Sequence, residues 1–188
     1  MFSETTRLFK GLYHFQEKKG TITIFDRVGT PMIVTREPKE NGFLFGALGV
    51  EILCPQEVKW RYVSQRGYWD GEKRKFGLYD ENWKEVSSFI YREDYPPPKN
   101  IEREIYVASI KIWEKEYRFS LRQRRCCLLD DSVLVVRDEQ FRKVFHNSYE
   151  KARPYGKVHV SQEQSFLLMS ILIPLGFRLQ NKYKFDRT

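Results

Sequence analysis

The sequence is poor in the residues that form disulfides and metal sites. Its 188 residues include three cysteines and three histidines. Cys126 and Cys127 are adjacent, and neighbouring cysteines bridge only with backbone strain; the third is Cys54. Because neither a CxxC pair nor a His-rich partner occurs, we expect no zinc site. No cofactor is expected either. An unpaired cysteine count fits a reducing cytoplasm better than secretion.

Long apolar runs are also scarce. The N-terminal residues contain no uninterrupted apolar stretch, so we expect no signal peptide. The one apolar segment, residues 166–177, reads FLLMSILIPLGF and contains Pro174 and Gly176. Because a bilayer span needs roughly 20 apolar residues, we expect no transmembrane helix. The expected location is the cytoplasm, either free or peripheral at a membrane.

The composition is that of a folded, basic protein. Apolar residues make up 41% and charged residues 31% of the chain, which predicts a globular domain. The segment DYPPPKN (94–100) is interpreted as a long loop inside one domain of residues 1–188, because apolar and repeated segments continue beyond it. The formal net charge of +8 favours anionic partners such as nucleic acid or acidic lipid head groups.

Most of the chain before residue 160 is predicted to form strands. Val58, Trp60 and Tyr62 alternate with basic residues, which is the period of a half-buried strand. Other segments are rich in β-branched and aromatic residues. They are residues 21–25, 103–113, 115–121, 132–136 and 157–160. Turn residues between them predict an antiparallel sandwich or barrel.

Three segments of the chain resemble one another. They are ITIFDRVGTPMIV (22–34), FGLYDENWKEVSSF (76–89) and LVVRDEQFRKVFHN (134–147). In each, an apolar strand ends at an aspartate, namely Asp26, Asp80 or Asp138, and an apolar residue follows six positions later. Since an aspartate carboxylate accepts a backbone N–H two residues on, we interpret each segment as a hairpin with a structural aspartate in its turn.

The apolar segment is predicted to be a helix of about residues 162–174. Ser161 and Gln164 have the spacing of a capping box, and Pro174 and Gly176 are expected to end the helix. Almost every position between is apolar, so the helix must be enclosed on all sides. The lumen of a closed β-barrel meets that demand; a helix on one face of a sandwich is the alternative.

These features together resemble the tubby-like superfamily, which includes the tubby C-terminal domain, the LURP-one-related proteins and the phospholipid scramblases. The matching segments are TITIFDRVGTPMIV, KFGLYDENWKEV, SVLVVRDEQFRKVF and KVHVSQEQSFLLMSILI. The resemblance implies an antiparallel barrel of about 12 strands around a C-terminal hydrophobic helix. It also implies a small bacterial-type member, and it identifies no site residue.

No motif of a known catalytic site appears. Cys126 or Cys127 beside Arg124 and Arg125 is a conceivable thiolate, but a buried structural cysteine is the preferred interpretation. The sequence has no phosphate-binding glycine-rich loop, no HExxH and no EF-hand loop. We therefore interpret the protein as a non-enzyme.

The basic residues are the candidate binding residues. Arg118, Arg122 and Arg124 share strand parity, opposite Phe119 and Leu121, so they form a stripe able to meet several phosphates. The predicted anion-binding residues are Arg118, Arg122, Arg124, Arg125, Lys73, Arg74 and Lys75. Two functions stay open: a barrel that binds anionic lipid head groups or a membrane surface, and a module that binds nucleic acid or a protein. A solvated barrel wall is the structural alternative.

Overall fold

A computed structural model describes most of the chain. The described residues are 7–18, 21–36, 49–53, 58–70, 73–93, 105–126, 129–149 and 155–185. The predicted loop 94–100 lies outside them, as do Cys54 and Cys127.

The described residues form fourteen strands and one helix. The strands are β1 (Arg7–Leu8), β2 (Gly11–Lys18), β3 (Thr21–Phe25), β4 (Pro31–Arg36), β5 (Gly49–Leu53), β6 (Val58–Asp70), β7 (Lys73–Asp80), β8 (Glu85–Glu93), β9 (Ile105–Ile112), β10 (Lys115–Cys126), β11 (Leu129–Asp138), β12 (Lys143–Tyr149), β13 (Tyr155–Val160) and β14 (Gln164–Ser165). The helix, α1, is Phe166–Phe185.

Twelve of these strands close into one antiparallel barrel, in the order β10-β11-β12-β13-β2-β3-β4-β5-β6-β7-β8-β9. Strands β1 and β14 pair separately. The predicted fold class, a mainly β barrel with a C-terminal hydrophobic helix, is therefore confirmed. Because neighbouring strands run antiparallel, every second connection lies at the same end. Residues 26–30, 81–84, 113–114 and 139–142 thus share one end, called the tight-turn end below.

The three repeated segments are hairpins with equivalent turns. The Asp26 Oδ1 atom accepts the N–H groups of Val28 and Thr30, two and four residues on. Asp80 and Asp138 accept the equivalent pairs in their own turns. The carboxylates therefore satisfy backbone donors, as the sequence predicts. Among the side chains that the structure describes, no three His, Cys, Asp or Glu residues gather as a metal site requires.

The helix fills the lumen of the barrel. Met169, Ile171, Leu172 and Ile173 are fully buried although they point in different directions around the helix axis. Further along, the ring of Phe177 meets the ring of Phe15 on β2 edge to face, at 4.2 Å between centroids. An apolar helix buried all round gains its stability from packing rather than from one amphipathic face. This confirms the predicted enclosure.

The helix begins later than the sequence suggests. The N–H of Ser161 donates to the backbone oxygen of Val144 at 2.8 Å, and Ser165 belongs to β14, which pairs with β1. These bonds keep the chain extended past the predicted capping box. The N-cap is Ser165, whose Oγ accepts the N–H of Leu168 at 3.2 Å.

The helix also continues past Pro174, so the predicted end at residue 174 is wrong. A proline inside a helix removes one backbone hydrogen bond and costs about 3 kcal/mol. Packing on all sides outweighs that cost here, since residues 171–177 are all buried. Gly176 provides close packing instead of a stop: a Cβ atom there would overlap the side chain of Leu134 on β11.

In the part of the chain that the structure describes, no helix is long and apolar enough to cross a membrane.

Candidate functional site

The arginines of β10 lie on the outer wall of the barrel. Phe119 and Leu121 are buried against the lumen. Arg118 is half-buried and Arg122 is exposed on the opposite face of the strand, as predicted from parity. Four residues of strand separate the two arginines by about 13 Å.

The strand register adds basic residues from other strands to the same wall. Arg118 lies opposite Arg137 on β11, and Arg137 lies opposite Lys143 on β12. On its other side Arg118 lies opposite Ser109 on β9, which lies opposite Arg92 on β8.

Arg92 in turn lies opposite Lys73 on β7. Six neighbouring strands therefore carry one line of partner positions, and all but the serine are basic. We call Lys73, Arg92, Arg118, Arg137 and Lys143 the cationic row. Neighbouring strands are about 4.8 Å apart, so the row extends about 24 Å around the barrel.

The cationic row lies on the outside of the barrel. The residues beside it in the strands, Tyr91, Phe119 and Val136, are buried. Arg92 and Lys143 are exposed, and Lys73, Arg118 and Arg137 are half-buried. Like charges directly opposite each other on neighbouring strands are destabilising. The closed sheet nevertheless brings Lys73 opposite Arg92, and Arg118 opposite Arg137.

Arg118 is held by contacts that an anion could replace or extend. Its Nη2 atom lies 3.3 Å from Glu116 Oε2, and the two side chains are 35% and 39% exposed. Ion pairs this exposed contribute little to stability. The guanidinium also lies over the ring of Phe141, with Cζ 4.9 Å from the centroid. Arg118 therefore belongs to the cationic row and also contacts Phe141, which lies in a turn at the tight-turn end.

The predicted group Lys73, Arg74 and Lys75 is divided between the two faces of β7. Arg74 shares parity with the buried Phe76 and lies opposite the buried Tyr91, so it is on the lumen side. Lys73 belongs to the cationic row. Lys75 lies on the outer wall in the next line of residues, opposite Ile90, which lies opposite Lys111.

The remaining predicted arginines lie at the far end of β10. Arg124 is opposite Asp131 and Arg125 is opposite Asp130 across the ladder to β11, so each faces an acidic partner position. Cys126 ends the same strand. The side chains of these three residues lie outside the described part of the structure.

The predicted anion-binding residues did not include Arg92, Arg137 or Lys143. All three lie 19 or more positions from Arg118 along the chain, and no local pattern relates them. Only the register of six strands brings them into line. The sequence did contain a signal for Arg137. If the repeated segment around Asp138 is folded as a hairpin, Arg137 lies opposite Lys143 across the turn, and both are basic.

A cavity of about 100 Å³ opens between the helix and strands β2 to β6, at the end opposite the tight turns. Its polar lining comes from Glu17, Thr35, Arg36, Tyr62 and Arg178. The Tyr62 hydroxyl is buried and finds no hydrogen-bond partner among the groups that the structure describes. Burial raises the pKa of this phenol, and the nearby Arg178 opposes the rise in part.

Two histidines stack on the outer wall beside the cationic row. The rings of His146 on β12 and His159 on β13 are 4.9 Å apart at 28°. Burial lowers the pKa of His146, and Lys143 and His159 lower it further. In the described structure neither Nδ1 atom has a hydrogen-bond partner to orient the ring. The pair therefore lacks the orienting contact that a general base normally has.

Comparisons of the chain with models of known protein families, with curated proteins and with solved structures give no match. Membership of the tubby-like superfamily stays a prediction.

Proposed function

We propose that the protein is a non-enzymatic, tubby-like binding barrel whose outer wall engages anionic phospholipid head groups at a membrane surface. The cationic row is the observation that carries this proposal. Five basic side chains line up over about 24 Å, on strands whose positions are fixed by a closed sheet. The row follows six of the twelve strands of the closed barrel, so it curves around the wall and presents its cations to several separate phosphates rather than to one compact ligand.

The chemistry of the row supports phosphate binding. Arg92, Arg118 and Arg137 carry guanidinium groups, which bind phosphate oxygens through two parallel hydrogen bonds. Each basic residue near an anionic membrane contributes about 1 kcal/mol of attraction. The net charge of +8 adds long-range attraction toward the same surface. The proposal places the protein in the cytoplasm, peripheral to the membrane.

Binding to vesicles and to nucleic acid, measured side by side, tests the proposal. Sedimentation would use phosphatidylcholine vesicles with and without one third phosphatidylserine, and labelled duplex DNA and single-stranded RNA would be titrated under the same salt conditions. We expect binding to the acidic vesicles only, weakening as salt rises. Binding to DNA or RNA but not to acidic vesicles would favour the nucleic-acid module instead. Absence of vesicle binding at low salt would contradict the proposal.

A further inference from the structure

Three of the turns at the tight-turn end carry an aromatic residue that faces solvent. Trp83 lies in the turn between β7 and β8, Trp113 between β9 and β10, and Phe141 between β11 and β12. Their exposed fractions are 48%, 38% and 63%. Phe9 and Val28 are exposed at the same end. Most of the exposed large apolar side chains that the structure describes therefore share one end of the barrel.

The backbone at these three aromatic residues is in a conformation that favours glycine. The φ angles are 63° at Trp83, 49° at Trp113 and 60° at Phe141. Positive φ is a clear outlier for a bulky residue, because its Cβ crowds the backbone. In the first of the three repeated hairpins the position equivalent to Trp83 and Phe141 is occupied by Gly29, with φ 88°.

The turn itself therefore does not require an aromatic residue. All three hairpins make the same backbone bonds, in which the N–H of this position donates to the carbonyl of the turn aspartate: Gly29 to Asp26, Trp83 to Asp80 and Phe141 to Asp138. Glycine makes this bond without strain. The turn needs positive φ at this position but not an aromatic side chain, so the strain accepted at Trp83 and Phe141 points to a function for their rings.

Two of the three rings lie beside cations of the outer wall. The Arg61 guanidinium carbon is 4.6 Å from the centroid of Trp83, and that of Arg118 is 4.9 Å from Phe141. Phe141 thereby contacts a member of the cationic row, and Lys143 of the same row follows two residues later. Exposed aromatic rings and cations of the outer wall thus occur together at this end.

We propose that Trp83, Trp113 and Phe141 are interfacial anchors, which enter the boundary between the head groups and the acyl chains of a bilayer while the members of the cationic row nearest the tight-turn end bind phosphates. This inference rests on the proposed function. Tryptophan has an apolar ring with one polar N–H group and collects at that boundary, and phenylalanine contributes an apolar ring that inserts beside it. The charge beside them fits an anionic membrane and identifies the lipid surface as the occupant.

Glycine and asparagine replacements provide the test, because both tolerate positive φ. The variant Trp83→Gly, Trp113→Asn, Phe141→Gly would be compared with the parent and with Tyr106→Thr, which changes an exposed aromatic residue at the far end of β9. Thermal unfolding shows whether each variant folds. We expect the triple variant to melt at or above the temperature of the parent, since three strained residues are relieved.

Vesicle affinity gives the decisive comparison, with vesicles of two parts phosphatidylcholine to one part phosphatidylserine. The triple variant should bind at least about tenfold more weakly, the difference that 1.4 kcal/mol makes. Its salt dependence should be retained because its cations are unchanged. Tyr106→Thr should bind like the parent. In the parent, lipids brominated on their acyl chains should quench the tryptophan emission. In the variant Trp83→Phe the same lipids should quench a smaller part of it.

The outcomes separate this inference from the proposed function. If the parent binds acidic vesicles and the triple variant binds equally well, the anchor proposal is wrong and the proposed binding of lipid head groups stands. If the parent does not bind vesicles, both are wrong. If the replacements abolish a concentration-dependent dimer seen by sedimentation and leave vesicle binding unchanged, the tight-turn end is an interface with a second copy, which overturns the anchor proposal.

Discussion

Asp138 is the most strongly bound of the three turn aspartates. Its Oδ1 atom accepts the N–H groups of Gln140 and Arg142, and its Oδ2 atom accepts Arg142 Nε at 2.8 Å. Burial by itself raises the pKa of this carboxyl, but the hydrogen bonds and charge of Arg142, with a further bond from Gln162, lower it overall. The ionised carboxylate of Asp138 is therefore more stable in the folded protein than in the unfolded chain, and its ionisation stabilises the fold.

Replacing Asp138 by alanine should lower the free energy of unfolding by about 1–3 kcal/mol, the cost of leaving such donors unsatisfied. Because the pKa of this carboxyl in the folded state lies below its ordinary value of 3.8, the contribution is present above that pH and is lost as the pH falls through the lowered pKa. Urea unfolding of the parent and Asp138→Ala at neutral pH and below 3.8 checks this. A difference that stays constant with pH would contradict it.

Tyr62 presents the opposite case, a buried hydroxyl for which the described structure shows no hydrogen bond. Replacing it with phenylalanine removes the unsatisfied group and keeps the ring. We expect the free energy of unfolding to stay constant or to rise by up to about 1 kcal/mol. Thermal and urea unfolding of Tyr62→Phe would measure the change. A loss of stability would show that the hydroxyl binds something inside the neighbouring cavity.

At the scale of elements, local patterns predicted the hairpins and part of the helix. The turn aspartates act on backbone groups two and four residues away, so their role can be predicted from a short stretch of sequence. The helix boundaries could not be predicted, because they depend on distant contacts. Ser161 is held by Val144, and the helix continues past Pro174 because the barrel wall surrounds it.

Truncating the lumen helix tests its role as the centre of the core. Ile171 is fully buried, whereas Leu167 is half-buried. The variant Ile171→Ala should lower the free energy of unfolding by about 2–5 kcal/mol, as for large-to-small changes in a packed core. Leu167→Ala is the matched control and should cost less. Losses well below about 2 kcal/mol for Ile171→Ala, measured by urea unfolding, would contradict a helix packed at the centre of the core.

At the scale of the whole molecule, the closed sheet creates a surface that no single segment contains. The parity of β10 predicted that Arg118 and Arg122 face outward. The alignment of Arg118 with Arg92 and Lys73 depends on the register of four strands, which hydrophobic patterns do not fix. The sequence therefore predicted a basic wall but not the line of cations along it.

The central claim is that the cationic row binds an anionic membrane surface. Neutralising the charges of the row tests this claim most directly. One variant changes Lys73, Arg92, Arg118 and Arg137 to glutamine. A control variant also introduces glutamine, at four exposed basic residues on or beside β2, β3 and β13, namely Lys10, Lys18, Arg27 and Lys157. Both lower the formal net charge of +8 by the same four units, and thermal unfolding would show that both remain folded.

The measurement is the affinity of each variant for vesicles of two parts phosphatidylcholine to one part phosphatidylserine. At about 1 kcal/mol for each basic residue at the surface, the row variant should bind roughly a thousandfold more weakly than the parent. The control variant should stay much closer to the parent, because only long-range attraction is reduced. Equal losses in the two variants would show that net charge alone drives binding, and would contradict a binding site at the cationic row.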